Sequence, residues 1–278
     1  MVLKSFSKIN LSLSVNKKLK NGLHNIQSYY CLINLHDKIK ITKIKSDRDI
    51  VKFTGKFSRN INKKNNSITK VLNILRHKKF ISNYYSVEIK KEIPVFAGLG
   101  GGSSNAAFLT QHLLRKKYDK AILKILEQKV GSDFRLFFHK QGFLKDLRTI
   151  KDLNKKNLLY FLLVFPNIKC STRYIYSKVR KYSKKLDYDS KKINTRSKFI
   201  KLLNNYDNDL QSIVEKRYLV IKKIIDEIKQ KKGCYFSKMT GSGSVCYGVF
   251  LNKKTAKAAL KRIKQKFPNY WSTLAKTI

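Results

Sequence analysis

Acidic residues are scarce in this chain: 17 Asp and Glu stand against 62 Lys and Arg over 278 residues, a formal charge of +45. Such an imbalance points first to a nucleic-acid binder held by phosphate contacts. No basic stripe with interleaved aromatics marks such a surface, however, and the lysines are spread through almost every segment among abundant Asn, Ile and Tyr. A strongly AT-biased genome would push surface positions towards Lys and Asn in this way. No specific nucleic-acid partner is therefore expected, although a basic surface raises the encounter rate of anionic small substrates. Cysteine is sparse too. Cys31, Cys170, Cys234 and Cys246 lie far apart without a C-x-x-C pair, which argues against a zinc site or a disulfide framework and predicts buried thiols. Long apolar runs are missing: "LLYFLLVF" at 158–165 falls far short of the ~20 residues of a bilayer span. "KINLSLSV" near the start alternates where a signal peptide would carry an unbroken apolar core. A soluble cytoplasmic protein with no membrane partner is the expectation.

A hydrophobic fraction of 42% and an aromatic fraction of 12% belong to a folded protein, so the charge does not signal disorder. The length suggests two modest domains. Ile9, Leu11, Leu13 and Val15 alternate with polar residues, the pattern of a strand with one buried face, and a turn at "KNG" leads into a second strand continuing through "HDKIKITKIK". Asn66 is a candidate N-cap for a helix carrying Ile68, Val71, Leu72, Ile74 and Leu75. "YYSVEIKKEIP" reads as a strand ending at Pro94, and "SSNAAFLTQHLLRKKY" as a helix preceded by serine caps. The polar stretch 145–157 is the expected boundary between domains 1–150 and 151–278. Beyond it, Leu210, Ile213, Val214, Ile221, Ile224, Ile225 and Ile228 form a helical core stripe that Gly233 can end, and "CYFSKMTGSGSVCYGVF" reads as strand, glycine turn, strand. "KKTAKAALKRIKQKF" is the expected closing helix.

Between Pro94 and the next helix lie Gly98, Leu99, Gly100, Gly101, Gly102, Ser103 and Ser104. A helix N-terminus has unsatisfied amides and a partial positive charge, so it stabilises a phosphate without a cationic side chain. Glycines remove the Cβ atoms that would block the approach and permit positive φ, while the serines add hydroxyls. The stretch is predicted to cradle phosphate. It is not a Walker-type loop, because no lysine follows the last glycine, and its spacing does not match the dinucleotide-binding fingerprint.

"PVFAGLGGGSSNAA" resembles the second motif of the GHMP kinases, the superfamily of galactokinase, homoserine kinase and mevalonate kinase; "KINLSLSV" and "MTGSGSVCYGVF" are similar to its first and third. Within it, "SKINLSLSV" followed by "NGLHNIQS" resembles the 4-diphosphocytidyl-2-C-methyl-D-erythritol kinase family, as do "VGSDFRLFF" and Asn208 to Leu210. The resemblance implies an α+β, two-domain GHMP kinase fold, with a ribosomal protein S5 domain 2-like N-terminal domain and a ferredoxin-like C-terminal domain. It implies ATP-dependent phosphorylation of the erythritol 2-hydroxyl of a cytidine diphosphate sugar-alcohol, in the non-mevalonate isoprenoid pathway. Asp133 takes the place of the catalytic carboxylate and Lys8 that of the lysine; a carboxylate can accept the hydroxyl proton while an ammonium keeps it ionised. By family position ATP is held by Asn66, Pro94 and Gly98 to Ser104. The substrate is held by Asn10, His24, Thr172, Tyr176, Gly241, Ser242 and Gly243. Leu23 stands where the family has a tyrosine, so one wall of the cytosine site would be aliphatic. Magnesium is implied as the neutralising ion of phosphoryl transfer, with Ser104 its nearest expected protein neighbour. A kinase for another small alcohol, homoserine- or mevalonate-like, and a basic nucleic-acid-binding protein without catalysis are the alternatives.

Overall fold

The computed structural model describes the chain apart from residues 60, 116, 118, 154, 155, 187 and 189–192. Its first elements are β1 (Val2–Asn10), β2 (Ser14–Lys18), β3 (His24–Ile44), β4 (Ile50–Thr54), α1 (Ser67–His77), β5 (Tyr84–Lys90), α2 (Gly101–Leu113) and α3 (Lys120–Val130). A 3-10 turn (Phe134–Phe138), β6 (Gln141–Leu144), β7 (Ile150–Asp152), β8 (Tyr160–Phe165), α4 (Thr172–Ser177) and α5 (Arg196–Asn204) follow. The chain then forms α6 (Gln211–Arg217), α7 (Leu219–Lys229), β9 (Cys234–Met239), β10 (Cys246–Phe250), α8 (Lys253–Lys266) and β11 (Trp271–Lys276). These divide into two compact units of interleaved segments. One comprises Met1–Lys8, Leu35–Val95 and Gly100–His139; the other comprises Ile9–Asn34, Phe96–Leu99 and Lys140–Ile278.

In the first unit the C-terminal part of β3 pairs antiparallel with β5, from Lys38 opposite Lys90 to Ile44 opposite Tyr84, and β4 lies parallel to β5. Helix α1 buries Ile68, Val71, Leu72 and Leu75, the spacing of one helical face, and packs on α2 and α3. Asn66 caps it as expected: its Oδ1 accepts from the Ile68 and Thr69 amides at 3.0 Å, and the Thr69 hydroxyl accepts from the Asn66 amide at 3.2 Å. Helix α2 departs from expectation. It begins at Gly101, two residues before the serines, and its N-cap is Gly100 in the left-handed region (φ 69°) with no side-chain cap.

The second unit contains a four-stranded antiparallel sheet in the order β11-β8-β10-β9. The alternation strand, helix, strand, strand, helix, strand in this spatial order is the ferredoxin-like arrangement. Helices α7 and α8 pack on the sheet. Leu162, Val164 and Phe250 of the strands meet Ile221, Ile224 and Ile228 of α7 and Ile263 of α8 in one buried cluster. The N-terminal part of β3 forms a hairpin with β2, closed by Gly22 at φ 80°, and pairs antiparallel with β6.

Several expectations are corrected in detail. The alternating segment 8–15 is not one strand with one buried face. β1 stops at Asn10, and Lys8, Asn10, Ser12 and Ser14 are buried alongside Ile9, Leu11, Leu13 and Val15. Hydrogen bonds make this tolerable: Asn10 Nδ2 donates to Ser28 Oγ at 2.8 Å, and Ser12 Oγ accepts from the Tyr29 amide at 3.1 Å. The apolar stripe from Leu210 to Ile228 is split at Tyr218 (φ −135°, ψ 86°) into α6 and α7, although both halves reach the same core. The chain closes on β11 rather than on α8, because β8 has an open edge that Trp271–Lys276 fills. Part of the polar stretch 145–157 is the β6–β7 hairpin, and residues 154 and 155 lie outside the described residues. All four thiols are free, and Cys31, Cys170 and Cys246 are buried as expected, whereas Cys234 is half-buried. Burial pushes the Cys170 thiol up to about 11 and Cys234 up to about 12, so both stay protonated and unreactive at neutral pH. Leu162→Ala, which opens a cavity between sheet and helices, should cost about 2–5 kcal/mol in equilibrium denaturation.

Candidate active site

In the first unit the glycine stretch enters α2 beside two charged side chains. Lys8, in β1, is 3% exposed and its Nζ lies 3.3 Å from Asp133 Oδ2, while Asp133 itself is 35% exposed. A Cβ on Gly100 would stand 2.8 Å from Phe137 Cζ and 3.2 Å from Lys8 Cε, so the positive φ and the lysine stem both demand glycine there. Past Gly131, which ends α3, the chain turns so that Asp133 opens the 3-10 turn, and a Cβ on Gly131 would approach Ser103 Oγ at 3.3 Å. Lys8, Asp133, Gly100 and Ser103 are thereby brought together around the uncapped start of α2. Gly100 offers no side chain to its first amides, and the Ser104 amide makes an intrahelical bond to Gly100 O at 2.8 Å.

Three expected nucleotide-site residues have other local duties. Ser104 turns its hydroxyl inward, donating to Phe6 O at 2.5 Å and sharing a 2.6 Å bond with Ser5 Oγ, so it faces away from the loop's open side. The Asn66 side chain is occupied by its capping bonds and by the carbonyls of Asn62 and Lys63, while its neighbour Ser67 lies 3.8 Å from where a Gly102 Cβ would be. Pro94 is buried, but β5 stops at Lys90, short of the proline at which the strand was expected to end.

In the second unit the remaining loop residues, Phe96–Leu99, contact the glycine turn that follows β9. Leu99 is buried, and Ala97 O accepts from the Val245 amide at 3.2 Å. Gly98 (φ 77°) admits no substituent, since a Cβ would sit 2.2 Å from Thr240 O. Thr240 Oγ1 accepts from the Asn10 amide at 2.9 Å, and Ser242 shares a 2.9 Å bond with Thr172. Asn208 donates to both Met239 O and Gly241 O at 2.8 Å, holding the 239–243 turn. Asn10, Thr172, Gly241, Ser242 and Gly243 therefore belong to one hydrogen-bonded neighbourhood. His24 lies apart on the β2–β3 hairpin, its ring 5.2 Å from Tyr176 and 6.4 Å from Tyr182. Burial, and then the Lys18 ammonium, lower its pKa below the usual 6.5, so the imidazole is neutral at neutral pH, with one nitrogen to donate and one to accept. Leu23 is exposed.

Sequence reasoning did not single out Thr240, the bridging role of Asn208 or Tyr182. Asn208 and Thr240 belonged to recognised stretches, but their bonding partners are remote in sequence, and Tyr182 carries no local signal. Among the described residues no group of three or more His, Cys, Asp or Glu could hold a metal, and no helix is long and apolar enough to cross a membrane.

A lysine–carboxylate pair set against an uncapped, glycine-started helix, on this α+β architecture, is the construction of a GHMP-type small-molecule kinase. The sequence matches "GHMP kinases N terminal domain" over residues 66–135 and "GHMP kinases C terminal" over 191–269. It is 38% identical to a 4-diphosphocytidyl-2-C-methyl-D-erythritol kinase of Pelagibacter ubique, covering 99% of this chain and 98% of that protein. It is 33% identical to one of Thermodesulfovibrio yellowstonii, over 99% and 97%. The chain belongs to the 4-diphosphocytidyl-2-C-methyl-D-erythritol kinase family. Among solved structures, a 4-(cytidine 5'-diphospho)-2C-methyl-D-erythritol kinase matches over 100% of both chains with TM-score 0.77 at 21% identity. A Methanococcus jannaschii mevalonate kinase matches over 100% of this chain and 98% of its own with TM-score 0.64 at 15% identity. These two likenesses establish the fold. The matches do not favour a homoserine- or mevalonate-type acceptor, or nucleic-acid binding without catalysis, over the family's own activity.

Gly98→Ala should destabilise the protein by more than about 1 kcal/mol, because it forces a Cβ onto a backbone carbonyl at positive φ. The measurement is a denaturant midpoint at unchanged m-value.

Proposed function

We propose that the chain transfers the γ-phosphoryl group of ATP to the 2-hydroxyl of 4-diphosphocytidyl-2-C-methyl-D-erythritol, a step in non-mevalonate isoprenoid synthesis. The observation that carries this reading is the Lys8–Asp133 pair packed against Gly100 at the uncapped start of α2. ATP follows from family membership. The amides at the start of α2, from Gly101 to Ser103, take the phosphates, with the partial positive charge of the helix N-terminus behind them. Asp133 accepts the hydroxyl proton as the oxygen attacks phosphorus and the bond to the β-phosphate oxygen breaks; Lys8 orients that carboxylate and the charge developing beside it. The Asn66 capping loop flanks the adenine.

Magnesium fits this site as an ion held mainly by the nucleotide. The nearby protein donors are the Asp133 carboxylate and the Ser103 hydroxyl, and magnesium characteristically keeps waters and phosphate oxygens rather than an all-protein cage. When bound, it supplies neutralisation of phosphate charge.

On the acceptor side, His24 reads the cytosine edge as a neutral imidazole, with Tyr176 on one flank. Tyr182 lies close enough to His24 to offer an aromatic surface where Leu23 does not. Asn10 orients the erythritol, and the Gly241–Gly243 turn with Thr172 takes the diphosphate. The division at residue 150, with the glycine loop before it and most of the acceptor groups after it, and a cytoplasmic location belong to the same reading.

An ATP-consumption assay with this alcohol and magnesium tests the activity; no turnover, with turnover on homoserine or mevalonate instead, would reassign the substrate. Asp133→Asn should lower kcat by about 10²–10⁴-fold while nucleotide affinity changes little. Since a lowered pKa keeps His24 neutral until the pH falls below its ordinary value, substrate KM should be flat at neutral pH and rise only below about 6.5. His24→Gln should remove that acid limb; a limb that persists would assign it to another group.

A further inference from the structure

Directly beneath the glycine-started helix lies an ion pair removed from solvent: Lys91 is 1% exposed, Asp37 is fully buried, and the Lys91 ammonium donates to Asp37 Oδ2. Desolvation makes such a pair a poor source of stability, since apolar residues of similar volume often serve as well. Its hydrogen bonds indicate another use. Asp37 Oδ1 accepts from the amides of Glu92 and Ile93 at 2.7 and 2.9 Å, holding the segment that leads out of β5 towards Pro94. Asn105, in the first turns of α2, accepts from Lys91 Nζ at 3.0 Å and donates to Asp37 Oδ2 and to Ser5 Oγ, both at 2.9 Å. Ser5 bonds Ser104 Oγ, which donates to Phe6 O, so the chain of bonds ends on β1 at Phe6, two residues before Lys8. The ammonium also lies 3.4 Å from where a Gly101 Cβ would stand. Every link is within the first unit.

We infer that the Asp37–Lys91–Asn105 cluster is a positioning network for phosphoryl transfer: it locks the first turn of α2 to β1, and so fixes the phosphate-binding amides relative to Lys8 and Asp133. This rests on the reading of the glycine stretch as the phosphate cradle. α2 cannot slide or rotate without parting Asn105 from two charged groups that have no water to replace it. A small displacement of amides or ammonium from the transferred group is costly, because the gain from preorganised donors depends on their being in place beforehand.

The test uses the full chain and separates position from stability. Lys91→Met alone leaves a buried carboxylate unpaired and is expected to fold poorly. The informative variants are therefore Asn105→Ala, the charge-neutral double Asp37→Asn/Lys91→Met, and the mild pair Ser5→Ala and Ser5→Thr. For each, the Kd of a non-hydrolysable ATP analogue, kcat, both KM values and Tm are measured. Asn105→Ala and the double variant should weaken analogue binding or lower kcat at least ~10-fold, with the KM of the alcohol held within about twofold. Ser5→Ala should move the same constants by a smaller factor, and Ser5→Thr, which keeps the hydroxyl, should restore them. Variants that lose only Tm, with Kd, kcat and both KM values within about twofold of the wild type, would overturn the proposal and leave the cluster a plain structural element. A wild-type chain that binds the analogue but leaves the alcohol unphosphorylated would overturn the substrate assignment alone, and the Kd series would still decide on the network. A wild-type chain that binds no nucleotide would overturn both.

Discussion

The first unit is organised around a helix that has to begin without a cap. Most helices satisfy their first amides with a Ser, Thr, Asp or Asn side chain, as Asn66, Asp119, Thr195 and Asn252 do elsewhere in this chain. Helix α2 instead starts from Gly100 in the left-handed region, with its serines already inside the first turn. A helix start left open in this way is costly unless water or an anion takes its amides. Lys8 and Asp133 lie beside those amides, the Lys8 stem in tight approach to Gly100 and Asp133 just past the Gly131 break.

Once this is granted, the unusual burial of polar residues makes sense. Lys8, Asn10, Ser12, Ser14, Asp37, Lys91 and Asn105 all lie inside, and nearly all the bonds that satisfy them run to segments far away in sequence. In a medium of low polarity such bonds allow few alternative arrangements, so they specify geometry more than they add stability. The second unit follows the same practice at the 239–243 turn, where Asn208 and Thr240 shape a stretch of backbone with positive-φ glycines.

The fold was largely legible from periodicity and punctuation. The α1 face, the Asn66 cap, the strand-turn-strand after Gly233 and the buried β8 run were all in place, because each depends on residues within a few positions of one another. What escaped depended on distant partners. β11 is a strand of mixed burial that gains its meaning only from the open edge of β8, and the break at Tyr218 interrupts a stripe whose apolar spacing is continuous. The polar positions of segment 8–15 looked solvent-facing since alternation reports which residues are polar and not what meets them.

The chain's amino-acid order was enough to specify the glycine loop, the candidate lysine and carboxylate and the family they belong to, since motif, spacing and local backbone preference are properties of neighbouring residues. It could not say that Ser104 turns inward, that Lys8 and Asp133 come within 3.3 Å across more than a hundred residues of chain, or that Lys91 is sealed beneath the helix start. Those are outcomes of packing. Whether a polar group meets water, another polar group or nothing is settled only when remote segments close over it, and the free energy of that choice appears nowhere in the local sequence.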